Sequence, residues 1–97
     1  MSTLVLVDVQ IKPEAVGEFT SYMEEIFPDT RTFKGCRRVE LAANQDDPNS
    51  FVLVEEWDTR EDHQKYYAWR TETGAMARIG SMLAAPPNRR YFDTTNA

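Results

Sequence analysis

Apolar side chains recur at two different spacings along this chain, and the points where the spacing changes divide it into elements. From Thr3 to Ile11, Val5, Val7, Val9 and Ile11 occupy every second position, opposite Leu4, Leu6, Asp8 and Gln10. That alternation predicts a strand whose second face turns polar partway along. Pro13 suits a first helical position and Glu14 a first turn, after which Val16, Phe19, Tyr22, Met23, Ile26 and Phe27 follow at intervals of three and four. The result is a helix with one apolar stripe, predicted to stop near Pro28. Cys36 to Leu41 reads as a second strand, the run Asn44-Gln45-Asp46-Asp47-Pro48-Asn49 as a turn, and Ser50 to Trp57 as the hairpin partner. In that third strand Val52 and Val54 share one face while Phe51, Leu53, Glu55 and Trp57 share the other.

Thr59 is placed to cap a second helix, with Asp62 three residues on to answer it. The helix runs through His63, Tyr66, Tyr67 and Trp69, bends at Gly74, and resumes with Met76, Ile79, Met82 and Leu83, a stripe read as core. Pro86-Pro87 ends it, and Arg89 to Thr94 alternates as a fourth strand. The order β-α-β-β-α-β predicts an α+β fold: a ferredoxin-like sandwich of a four-stranded antiparallel sheet with both helices on one face. The helices require the more apolar side, so Val5, Val7, Val9 and Ile11 are expected to meet them together with Val52 and Val54. This assignment leaves Phe51, Leu53, Glu55 and Trp57 on an open face. They are joined there by Leu6, Asp8 and Gln10, by Arg38 and Glu40, and by Arg89, Tyr91 and Asp93. Aromatics mixed with carboxylates and arginines suit a lined cavity better than a solvated surface.

Size sharpens that expectation. A chain of 97 residues and 11.2 kDa is expected to form one domain over residues 1–97, and so small a core gains from burial against a second copy. A homodimer that roofs the open face is therefore the expected partner. The composition, 41% hydrophobic and 28% charged, is that of a folding chain rather than a disordered one. Sixteen acidic residues against 11 basic ones give a net charge of −5, the wrong sign for neutralising a phosphate backbone, so no nucleic acid is expected. Neither a basic-then-apolar leader nor a membrane-spanning apolar run is present, which predicts a cytoplasmic protein with no membrane partner. One cysteine and one histidine exclude an internal disulfide and leave no Cys/His ligand cluster, so neither a metal nor dithiol redox chemistry is expected.

The candidate chemistry lies near the end of the third strand. Trp57 can stack on an aromatic ligand and orient an oxygen through its indole N–H, or else pack in a dimer interface. His63 is the one side chain that ordinarily titrates near neutrality, a natural acceptor for a phenolic proton unless it is merely a surface residue. Glu55 or Asp8, enclosed by Phe51, Leu53 and Tyr91, would be made more basic by desolvation unless Arg38 or Arg89 holds it ionised. Tyr66 and Tyr67 can donate a hydrogen bond to a substrate carbonyl or can simply pack. Cys36 stands beside Arg37 and Arg38 in sequence, but strand alternation points neighbours apart, which argues against an activated thiolate.

The whole pattern resembles the antibiotic biosynthesis monooxygenase family. The matching residues are Leu4-Val5-Leu6-Val7 followed by Lys12-Pro13-Glu14, then Gly35-Cys36 and the Asp47-Pro48 turn. Phe51 to Trp57 leading into Asp58-Thr59-Arg60-Glu61 follows, and Pro86-Pro87 with Arg90-Tyr91-Phe92 closes the match. The resemblance implies a dimeric α/β barrel that pairs open sheet faces. In the best-understood members it implies oxygenation of phenols or quinols by dioxygen without metal, flavin or haem. Related barrels degrade haem or isomerise small sugars. The chain departs from the pattern at Tyr66-Tyr67, where members often carry a histidine, and at Leu53, where quinol oxidisers tend to carry an asparagine. The expected activity is a cofactor-free oxidation of a quinol or phenolic metabolite, with His63 and Glu55 as catalytic groups. Trp57, Tyr66, Tyr67, Arg38, Phe51, Leu53 and Tyr91 are expected around the substrate. Two alternatives stand beside it: an isomerase or mutarotase of a small polar metabolite, and a dimer that binds a small molecule without chemistry.

Overall fold

In the computed structural model, which describes all 97 residues, strand β1 (Thr3–Gln10) lies between two antiparallel neighbours. A one-turn 3-10 segment at Pro13–Ala15 leads into α1 (Val16–Thr32). After it come β2 (Cys36–Ala43), β3 (Ser50–Trp57), α2 (Arg60–Glu72), α3 (Ala75–Met82) and β4 (Asn88–Asp93). The four strands lie in the order β2-β3-β1-β4, all antiparallel, which is the expected ferredoxin-like α+β arrangement. No helix is long and apolar enough to cross a membrane.

Register overturns the expected faces of β3 and β4. Directly opposed residues share a face, and here Thr3, Val5, Val7 and Val9 oppose Trp57, Glu55, Leu53 and Phe51. These four β3 residues therefore turn toward the helices. Val52 and Val54 point outward, where they join Leu4 and Leu6. On the other side of β1, Arg89, Tyr91 and Asp93 stand opposite Val7, Val5 and Thr3, so they also leave the outer face. Arg38, Glu40 and Asp8 remain outside: Arg38 opposes Glu56, and Asp8 is ion-paired to Arg90 at 3.0 Å. Both alternations of β3 are apolar enough to be buried, and a shift of one residue exchanges them completely. The larger set wins because burying Phe51 and Trp57 removes more apolar surface from water than burying two valines.

Two boundaries also differ from expectation. Helix α1 passes through Pro28 to Thr32. The N–H that Pro28 lacks would have reached the carbonyl of Glu24; both residues are exposed, so water can take that acceptor and the break is tolerated. Beyond it, the side chains of Thr30 and Arg70 donate to the Ile26 carbonyl at 3.2 and 2.8 Å, which holds the last turn of α1 against α2. At Gly74, where a bend is expected, the helix divides into α2 and α3. A φ of 86° there is open to glycine and poor for other residues. Gly35, at φ 89°, starts β2 under α2, and a Cβ at that position would collide with the Asp62 carboxylate.

Burial falls into two clusters along the helix-facing side of the sheet. One is wholly apolar around Ile11, Phe19, Met23, Phe51 and Met82, with the Phe19 and Phe51 rings 5.5 Å apart. The other is aromatic, built from Val5, Trp57 and Tyr66.

Candidate functional site

Between the helices and the sheet lies a cavity of about 250 Å3, which places it on the face opposite to the one expected for a ligand. Its apolar wall comes from Met23, Ile26 and Phe27 of α1 and from Val7, Val39 and Leu53 of the sheet. Met76 and Ile79 of α3, with Leu83 beyond it, complete the wall. These last three are only half-buried, and the stripe expected to be core is here a cavity lining; Met82 alone of that stripe is fully packed. Four side chains bring polar atoms to an otherwise oily surface, Glu55, His63, Tyr67 and Arg89, and Tyr66 adds its ring.

Glu55 is 4% exposed, and its Oε1 accepts the indole N–H of Trp57 at 3.0 Å. Burial raises its pKa above the ordinary carboxylate value, although the Trp57 hydrogen bond and the positive charge of Arg89 oppose the shift. No fully enclosed side-chain oxygen or nitrogen lacks a partner, and Oε2 of Glu55 makes no hydrogen bond, so that oxygen reaches the open space of the cavity. A carboxylate held at one oxygen and free at the other is placed to take up a proton.

His63 comes from the first turns of α2, which begins where it does because Thr59 accepts the Asp62 N–H at 3.1 Å. Its ring is buried: Nδ1 lies 2.8 Å from the Tyr91 hydroxyl and Nε2 lies 3.8 Å from Glu55 Oε1. Desolvation, with Arg89 and Arg60 nearby, lowers its pKa to about 4. The imidazole is therefore neutral at physiological pH and keeps one donor and one acceptor nitrogen. His63 Nδ1 and the Tyr91 hydroxyl share one hydrogen bond whose direction follows the tautomer, while the 3.8 Å gap from Nε2 to Glu55 Oε1 is too long for a second.

The surrounding aromatics hold this line in place. Trp57, wholly buried, lies behind Glu55 rather than in the cavity wall, with its ring centroid 5.6 Å from His63 and 5.1 Å from Tyr66. The Tyr66 hydroxyl is turned away into a buried network, 2.7 Å from Thr30 Oγ1 and accepting from Arg70 Nε at 2.9 Å, so only its ring is offered to the cavity. Tyr67 carries the Arg89 guanidinium 4.0 Å above its ring, and Tyr91 carries that of Arg60 at the same distance.

The candidates named from the sequence separate accordingly. Glu55, His63, Leu53, Tyr66 and Tyr67 converge on the cavity, and Tyr91 reaches it through His63. Trp57 supports Glu55 from behind instead of facing a ligand. Phe51 is packed against Phe19 in the apolar cluster. Arg38 stands on the outer face between Glu40 and Glu56, at 3.6 and 3.9 Å, far from the role expected for it. Cys36 is raised in pKa by burial and by Glu55, so it stays a thiol. Arg89, offered by the sequence only as a counter-charge to a carboxylate, is a further cavity-lining residue. Its signal was the alternation Arg89-Tyr91, which becomes interpretable only once β4 is registered against β1.

Comparison with known proteins places the chain among relatives of the same shape. The family model for antibiotic biosynthesis monooxygenases matches residues 3–72. No curated protein matches the sequence. A solved structure of an antibiotic biosynthesis monooxygenase is 26% identical with a TM-score of 0.86, over 96% of this chain and 98% of that one. A conserved protein from Methanosarcina mazei Go1 is 17% identical with a TM-score of 0.90, over 98% of this chain and 94% of that one. SnoaB, a cofactor-independent oxygenase from Streptomyces nogalater, is 14% identical with a TM-score of 0.84, over 99% and 95%. At those last two identities the likeness is one of fold.

Proposed function

Because the chain belongs to the antibiotic biosynthesis monooxygenase family, we propose that it oxidises a phenolic or quinol-like aromatic metabolite with dioxygen, without a cofactor. The observation that carries this reading is the free oxygen of Glu55, desolvated and made more basic, facing an apolar cavity of about 250 Å3 beside a neutral His63. That volume is small against the roughly 300–1000 Å3 of drug-sized sites, which suits one or two fused rings. The fold shared with a cofactor-independent oxygenase supports the same chemistry.

The step balances without a redox centre. Glu55 takes the phenolic proton, and an electron-rich ring carbon ortho or para to the oxygen that still bears hydrogen bonds to dioxygen, which is reduced to a peroxide that picks up the proton. Loss of the hydrogen on that carbon then breaks the O–O bond, forming a second C=O and releasing water. One phenol and one dioxygen become one quinone and one water. His63, neutral and hydrogen-bonded to Tyr91, stands beside Glu55 as a second proton donor or acceptor. Leu53 and the rings of Tyr66 and Tyr67 hold the substrate flat, and Trp57 keeps Glu55 oriented.

We place this activity in one domain spanning the chain, in a cytoplasmic homodimer joined through the outer sheet face. Half-buried Leu4, Leu6, Val52 and Val54 and the exposed ring of Phe92 supply the apolar surface for that contact. The deciding experiment is an oxygen-consumption assay of metal-stripped protein on a panel of quinols and phenols. Oxygen-dependent quinone formation is expected, and Glu55→Gln should lower kcat by about 10²–10⁴ with the fold intact. Rates no higher than buffer across the panel, or turnover indifferent to the removal of oxygen, overturn the reading. The second outcome would point to an isomerase.

A further inference from the structure

Arg89 is the one arginine at the cavity whose donors go nowhere. Arg37, Arg38 and Arg90 pair with carboxylates on the outer face, Arg70 bonds Ile26, Thr30 and Tyr66, and Arg31 reaches the Val39 carbonyl. Arg60 and Arg78 have no such partner but are exposed, so water serves them. Arg89 is half-buried, lines the cavity, and is in contact with Tyr67 through the flat of its guanidinium, 4.0 Å from the ring centroid. It makes neither an ion pair nor a hydrogen bond within the chain. A guanidinium gripped by its face keeps its N–H edge free, and that fork matches a carboxylate with two parallel hydrogen bonds.

Its position relative to Glu55 adds a second constraint. Arg89 sits beside Val7 on β4, while Glu55 sits beside Val5 on β3, so both point into the same space from opposite sides of β1. Two strand spacings separate them across the sheet, roughly 9–10 Å. A ligand that meets both must therefore carry two different groups at opposite ends of a short rigid frame. Arg60 over Tyr91 adds a second positive charge near His63.

We propose that the cavity selects an aromatic carboxylate: a one- or two-ring hydroxyaromatic acid whose carboxylate is clasped by the free edge of Arg89 while its hydroxyl meets Glu55 and His63. The hydroxyl half rests on the oxidation reading above; the carboxylate half stands on the geometry of Arg89. Arg89 is a specificity determinant and takes no part in the proton transfers.

The test separates the two halves by measuring binding without oxygen. The full-length protein is titrated calorimetrically under nitrogen with 6-hydroxy-2-naphthoate and, separately, with its methyl ester, and the pair 4-hydroxybenzoate and 4-hydroxybenzamide serves as the one-ring control. The acid should bind at least tenfold tighter than its neutral counterpart in one of the two pairs, and rising salt should weaken only the acid. Arg89→Gln should weaken the acid at least tenfold more than the neutral compound and so abolish that preference, and Arg89→Lys, which keeps the charge but loses the fork, should restore part of it. Equal affinity of acid and neutral compound, no binding of either, or a preference that survives in Arg89→Gln with a native circular dichroism spectrum overturns the proposal. Acid-selective binding without oxygen uptake would sustain it and remove the oxidation reading. Oxygen uptake on acid and ester alike would do the reverse.

Discussion

The two ends of the layer between sheet and helices are built from the same strands, yet they behave as different materials. At one end Val9, Ile11, Phe19, Phe51 and Met82 close on one another with no polar side chain among them. At the other, Val5, Trp57 and Tyr66 pack among Glu55, His63 and Arg70, each 5% exposed or less, and the cavity opens between the two, with Met23, Ile26, Phe27 and Val39 of the apolar cluster on one wall and Glu55, His63 and Tyr66 on the other. The apolar end needs only volume and shape. The aromatic end has to satisfy every buried polar group, and it does so in pairs: Trp57 to Glu55, His63 to Tyr91, Arg70 to Tyr66 and Thr30. The apolar cluster thus supplies burial and one wall of the cavity, while the buried titratable groups are confined to the other, where a substrate can use them.

Breaking the apolar end should cost the most. Phe19→Ala is expected to lose about 3–5 kcal/mol in urea denaturation, while the activity per folded molecule stays near wild type. A loss of activity out of proportion to unfolding would mean that the two ends are not separable. The polar end carries a pH signature instead. The unfolded chain takes up a proton on His63 below its ordinary pKa near 6.5, whereas the folded chain refuses it until about pH 4. The stability that His63 contributes as a neutral ring is complete above pH 6.5, declines from pH 6.5 to 4, and is then constant. Relative to wild type, His63→Gln should therefore gain about 3 kcal/mol between pH 7 and pH 4. A difference that does not vary with pH would show that His63 is not held neutral.

The pairing of Trp57 with Glu55 allows a finer test. Trp57→Phe keeps a ring in the cluster but removes the N–H that favours ionised Glu55, so the Glu55 pKa should rise further and the acid limb of the pH–rate profile should move to higher pH. The stability loss should be about 1–2 kcal/mol, that of a ring trimmed and a hydrogen bond removed. A profile unchanged in position would separate Trp57 from the carboxylate. The smallest effect is expected on the outer face, where Arg38→Ala removes only exposed ion pairs and should change monomer stability by less than about 0.5 kcal/mol and ligand affinity not at all. A fall in ligand affinity there would bring the outer face back into the site.

Much of this contrast was visible in the sequence as residue types and very little of it as arrangement. His63, Glu55, Tyr66, Tyr67 and Leu53 were recognisable because side chains with that chemistry are few in so short a chain and cluster around one strand end and the helix that follows it. Their meeting place was misjudged because β3 has two plausible apolar faces. Arg89 is legible only as a possible counter-charge to a carboxylate for the same reason, since its place at the cavity depends on a strand paired to β1 from 82 positions away in the register Val7 to Arg89.

Local information sufficed for the periods of two and three-to-four, the Thr59 cap, the break at Gly74 and the β-α-β-β-α-β order, because each depends on side chains within a turn or two of one another. Which side of the sheet received the helices, whether Pro28 ended α1, and where the cavity opened were decided only in the folded molecule. Those outcomes follow from competition between distant surfaces for burial, and shifting one strand by a single residue exchanges everything it presents.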